Sequence, residues 1–121
     1  MEWFYVMSGA ALGGALRYLS VITVSELLPG YPYGTLFVNV AGSFIMGILA
    51  TYFSEYYLGA SPYLRLFCTV GFLGGFTTFS SFSYETLALL AVHNLWGALG
   101  NVLLNTTLGL FAGYLGIILI K

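Results

Sequence analysis

Charge is nearly absent from this sequence. Only 6% of its 121 residues are charged: Glu2, Arg17, Glu26, Glu55, Arg65, Glu85 and Lys121. A water-soluble domain carries roughly 25%, so this surface is not built to face water. The net charge of −1 excludes the basic footprint of a nucleic-acid binder. The single cysteine, Cys68, excludes an internal disulfide and lies in an apolar run, where it packs. One histidine, His93, and no paired carboxylates deep in an apolar stretch leave no catalytic constellation, so an enzyme is not expected.

Apolar residues dominate instead, at 60% of the chain and a mean hydropathy of +0.95. They fall into four stretches, about 3–24, 33–56, 62–92 and 95–120. Each exceeds the roughly 20 residues that span a bilayer. The expectation is a single all-α integral membrane domain over 1–121, multi-pass in the cell membrane with lipid as its surroundings. The connectors SELLPGYP, YYLGASP and VHNL are short, and Gly30, Pro32, Gly59 and Pro62 punctuate them. Ser61-Pro62 has the form of an N-cap followed by proline in the first turn. The opening MEWFYVMSGAALGGALRY carries an early acid and no basic n-region, so it is expected to be a retained first span.

The third stretch is too long. As one straight helix it reaches about 46 Å, against a hydrocarbon core of about 30 Å. Within it lies GGFTTFSSFSYE, residues 74–85, where glycines and hydroxyls interrupt the apolar run. A break near 74–78 is expected, with Gly71, Gly74 and Gly75, followed by the poor helix formers Thr77 and Thr78, loosening the helix. Broken backbone at membrane depth is tolerated only in protein or beside a watery cavity. A half-helix N-terminus favours an anion, and unwound carbonyls favour a small cation. Elsewhere, Gly9-x-x-x-Gly13 and Gly109-x-x-x-Gly113 have the spacing of close helix packing.

Polar residues recur at helical spacing. Thr35, Asn39 and Ser43 share one face of the second span. Asn101 and Asn105, with Thr106 beside them, do so on the fourth, and Thr78, Ser81 and Glu85 form a set on the third. Such groups serve either as interhelical hydrogen-bonding glue or as a polar track, and three stripes in one small bundle favour a track. Arg17, well inside the first stretch, either snorkels to the interface, attracts an anion or pairs with an acid. Phe76, Phe79 and Phe82 follow at intervals of three, and ring edges are positive enough to face an anion. Connector cations are too few to fix orientation: Arg65 and Lys121 stand on one side, against Arg17 if it reaches the other. One fixed orientation and insertion in both, giving an antiparallel dimer, are equally open. A four-helix chain of this size hardly encloses a polar path alone, so assembly is expected.

On residues alone, the rivals to an ion pathway are a small multidrug exporter and a non-transporting packing subunit. The exporter needs an acid within its first span, where this chain has Arg17. The packing subunit does not need the phenylalanine–hydroxyl interruption.

GGALRY at 13–18, YGTLFVNVAGSFIMG at 33–47 and GFLGGFTTFSSFSYE at 71–85 resemble the Fluc-type (CrcB) fluoride channels. The order and spacing of these pieces cover nearly the whole chain, and GLFAGYLG at 109–116 fits more loosely. The resemblance implies an antiparallel, dual-topology homodimer with a broken third helix, conducting fluoride passively through two pores per dimer. It implies a structural sodium ion at the dimer centre, held by backbone carbonyls at Gly74 and Thr77. It places Phe79, Phe82 and Asn39 at the pore, with Thr35 and Glu85, and less firmly Ser81, continuing the track. Arg17 matches the basic residue near the aqueous mouth. The fourth helix departs from the family: Asn101 and Asn105 stand where tyrosine and serine are common, and either pair can line a track.

Overall fold

The computed structural model describes residues 1–121, and every regular element is helical. Helix α1 spans Glu2–Leu27. Helix α2 runs over Tyr33–Thr51 and widens into a π-helical turn at Tyr52–Tyr56. The third span is split. Its first half, α3, comprises Pro62–Arg65, a π-helical segment Leu66–Leu73 and a last α-turn at Gly74–Phe76. Its second half, α4, is Ser80–Ala91, and α5 spans Leu95–Ile120. Four segments are long and apolar enough to cross a membrane: Glu2–Leu27, Tyr33–Tyr56, Pro62–Ala91 and Leu95–Ile120.

Local chemistry sets the ends. Gly30 turns the first connector at φ +96°. Ser61 Oγ accepts from the Tyr63 amide at 3.2 Å, with Pro62 in the first turn of α3. Asn94 Oδ1 accepts from the Gly97 amide at 2.9 Å and caps α5. Between α4 and α5, His93 adopts φ 62°. The His93 and Asn94 amides donate back to Leu90 O and Leu89 O, the pattern of a helix C-terminus that usually places glycine there.

Two glycine crossings build the bundle. At α1–α3, a Cβ on Gly9 would meet Phe67 O, and one on Gly13 would meet Phe72 O. Gly71 and Gly75 answer from α3, against Val6 O at 2.8 Å and Ala10 O at 2.6 Å. At α2–α5, Gly47 packs on Gly113 O and Gly116 on Phe44 O. The close spacing on the last helix is therefore carried by Gly116 rather than Gly109, whose Cβ would make ordinary contact with Ser43 Oγ at 3.7 Å. Only 18 of 121 residues are buried in the single chain, among them Val38, Leu73, Phe76 and Asn101. The large exposed side chains are mostly apolar or aromatic. That is the inside-out arrangement of a bundle whose outer face meets lipid or a partner.

The glycines do not break the third span. Gly71 and Gly75 sit in helical backbone and permit the α1–α3 approach. The helix stops at Thr77, where the chain becomes extended at φ −86°, ψ 162°. It resumes at Ser80.

Candidate functional site

The break is held by side chains from other helices. Leu73 O accepts both the Thr77 amide and Thr77 Oγ1, each at 3.1 Å. Arg17 Nε donates to Gly75 O at 3.0 Å, half-buried at the C-terminal end of α3, where a cation suits the helix dipole. Thr78 loses its ladder partners and is paired instead with the Asn39 side chain. Its amide donates to Asn39 Oδ1 at 2.8 Å, and its carbonyl accepts from Asn39 Nδ2 at 3.0 Å. Thr78 Oγ1 then accepts the Ser81 amide, in the first turn of α4, at 3.2 Å.

A polar chain runs from this point. Asn39 Nδ2 also donates to Asn105 Oδ1 at 2.9 Å. Asn105 Nδ2 donates to Asn101 O at 2.9 Å and Asn101 Oδ1 at 3.1 Å. Asn101 Nδ2 donates to Thr86 Oγ1 at 2.9 Å, and Thr86 Oγ1 donates to Phe82 O at 2.8 Å. One turn along α2, Thr35 Oγ1 donates to Glu85 Oε2 at 2.9 Å. Asn101 and Thr35 are fully buried. The stripes on α2, α4 and α5 thus face one another across one seam.

A groove of 260 Å³ opens beside the break. Asn39 and Ser43 of α2 line it with Asn105 and Thr106 of α5, Thr77 and Thr78 of the break, and Phe79 and Phe82. The two rings meet edge to face, 5.5 Å between centroids at 61°. Phe76 does not join them. It is buried and stacked on Phe72 at 6.1 Å, because the extended residue shifts the register between the half-helices. A wider groove of 660 Å³ shares Ser43 and Thr77 and includes Gly74. At the other end of the seam, Glu85 lines a 360 Å³ depression with Gly30, Tyr31 and Pro32.

The expected residues therefore fall in several places. Phe79, Phe82, Asn39 and Asn105 line the groove by the break. Thr35, Glu85 and Asn101 continue the seam behind it. Ser81 donates its amide to Thr78 Oγ1 and is not a lining residue of that groove. Arg17 neither pairs with an acid nor lines the groove; it braces the break from α1. Thr86 also joins the seam, and its signal in the sequence is its place one turn beyond Phe82 on α4.

The fold and seam define a class: a four-span membrane protein with a hydrogen-bonded polar path beside a broken helix. The chain belongs to the CrcB family. The model of that family, described as CrcB-like protein, Camphor Resistance (CrcB), matches residues 4–117. A Campylobacter jejuni protein named fluoride-specific ion channel FluC is 46% identical over 114 residues, covering 93% of this chain and 92% of the relative. Proteins of the same name from Elusimicrobium minutum (48% identical, 93% of this chain, 90% of the relative) and Rhizobium meliloti (42%, 96% and 93%) are similar over nearly their full length. The family is one of ion channels, not enzymes, and its member here is a multi-pass membrane protein.

Proposed function

We propose that this chain is a fluoride-selective passive channel that lets fluoride out across the cell membrane. The observation that carries the reading is the seam itself. A hydrogen-bonded chain runs from Thr86 through Asn101, Asn105 and Asn39 to the groove under Phe79 and Phe82, and the Thr35–Glu85 pair lies one turn away along α2. Fluoride is small and holds its water tightly, so a path must offer closely spaced donors and narrow walls in exchange. Hydroxyls, amides and phenylalanine edges supply positive character without a fixed cation that would trap the ion. Arg17 adds positive charge behind the break, where it raises the potential without closing on the ion.

The working unit in this reading is an antiparallel, dual-topology homodimer with two pores. With Arg17 drawn into the bundle, the connector cations are Arg65 and Lys121, a small excess on one side. A structural sodium ion at the dimer centre fits the residues. The Gly74 and Thr77 carbonyls accept no hydrogen bond from the chain, and Gly74 is exposed with open space beside it. Carbonyl oxygens are suitable ligands for a small hard cation. Bound there, sodium supplies a fixed positive charge near the path.

The test is efflux from liposomes loaded with potassium fluoride, started with valinomycin and read with a fluoride electrode, beside potassium chloride liposomes. The parent is expected to release fluoride quickly and chloride negligibly, and Phe82→Ile to release fluoride slowly. Folded parent protein that releases no fluoride would refute the channel reading.

A further inference from the structure

The groove by the break holds fewer free donors than its lining suggests. Asn39 has two amide protons. One goes to Thr78 O and the other to Asn105 Oδ1, while its oxygen accepts from the Thr78 amide. No proton of Asn39 is left for an ion. Asn105 Nδ2 is directed at Asn101. Two of the groove's threonines fold back on their own helices, Thr77 Oγ1 onto Leu73 O and Thr106 Oγ1 onto Val102 O at 2.7 Å. Thr78 Oγ1 accepts the Ser81 amide, and its own proton has Ser80 Oγ within the chain as a partner at 3.4 Å. Ser43 differs from all of these. Its half-buried hydroxyl lines both the narrow and the wide groove. It has no partner in the chain and does not bond back to its own helix, as Ser8, Thr69 and Thr86 do.

We propose that Ser43 is the side-chain donor that meets the anion where the two grooves join, and that Asn39 is a positioning residue that latches the break. The pairing of Asn39 with Thr78 copies the two-bond exchange of a sheet ladder, because a primary amide offers the same donor and acceptor as a peptide group. Removing it orphans two backbone groups at membrane depth, a loss of folding stability rather than of an ion contact. Removing the Ser43 hydroxyl takes nothing from this chain's own hydrogen bonds, so a loss seen in fluoride half-saturation with the thermal midpoint unchanged reports on the ion.

The inference rests on the fluoride-channel reading, and the experiment separates the two. Fluoride efflux from proteoliposomes is measured against internal fluoride concentration, and the thermal midpoint of each purified variant is recorded. Ser43→Ala is expected to raise half-saturating fluoride about tenfold, the loss of one hydrogen bond to a charged partner, with the thermal midpoint unchanged. Ser43→Cys keeps the volume with only a weak donor, and gives the same reading should the alanine variant not fold. Asn39→Ala is expected to lower the thermal midpoint and the maximal rate while half-saturation stays at the parent's value. A serine variant with the parent's half-saturation would overturn the proposal. So would an alanine at 39 that shifts half-saturation without loss of thermal stability. A folded parent that conducts no fluoride would sink the channel reading itself.

Discussion

Neighbouring glycines on α1 offer a test of how the break is held. A Cβ on Gly13 would fall on Phe72 O, with Phe72 C at 2.9 Å and Phe76 N at 3.0 Å. All three atoms are backbone, so no side-chain rotation makes room. A Cβ on Gly14 meets nothing within 4 Å. Alanine at either site gains about 1 kcal/mol in helix propensity, and this term cancels when the two variants are compared. What remains is overpacking at Gly13, about 1–3 kcal/mol, or roughly a 5- to 150-fold difference in the unfolding constant. The damage has a direction. Arg17 lies one turn beyond Gly13 and donates to Gly75 O, so pushing α1 from α3 lengthens that bond and loosens the start of the break. The assay is SDS titration in mixed micelles followed by circular dichroism, paired with fluoride efflux. Gly14→Ala should be as stable as the parent or more so and conduct normally; Gly13→Ala should lose both stability and flux. Equal stability of the two variants would refute the account of α1–α3 packing.

Two further outcomes follow from the connectors. His93→Gly should stabilise the protein by about 1 kcal/mol, because the left-handed backbone at φ 62° strains a residue with a side chain; the same titration reads it. Burial raises the Tyr31 phenol above its ordinary value of 10.0, and the neighbouring Tyr33 adds to this. Its protonated hydroxyl donates to Gly97 O at 2.6 Å. The folded state therefore keeps that proton longer than the unfolded one. The contribution is complete below pH 10 and is lost as pH rises through the folded value. Tyr31→Phe should lower stability at neutral pH by about 1 kcal/mol and flatten the alkaline decline. A variant with the parent's alkaline profile would exclude Tyr31 as its source.

The membrane class and the helices were legible because they depend on composition and length, which solvent reads directly. A chain with 6% charge cannot face water, and a 31-residue apolar stretch cannot cross a bilayer straight. The three polar stripes were legible as well, because helical spacing puts their members on one face whatever lies opposite. The place of the break was legible too, but not which of its residues causes it. Glycine and threonine both weaken a helix, which marks Gly71, Gly74, Gly75, Thr77 and Thr78 alike, yet the partner helix α1 decides how Gly71 and Gly75 are used. Their missing Cβ atoms let α1 approach and so support the helix they were expected to loosen. The extended residue is Thr77, and it is tolerable because Asn39, distant in sequence, satisfies Thr78.

The same division applies to roles. Sequence alone determined that Asn39, Asn105 and Ser43 lie on faces that cannot be left to lipid, since an unpaired polar group in hydrocarbon is costly. Which of them spend their protons on one another, and which keeps one free, is set by how the helices pack. Hydrogen-bond capacity belongs to a residue, but whether it remains available depends on what the other helices bring within 3 Å.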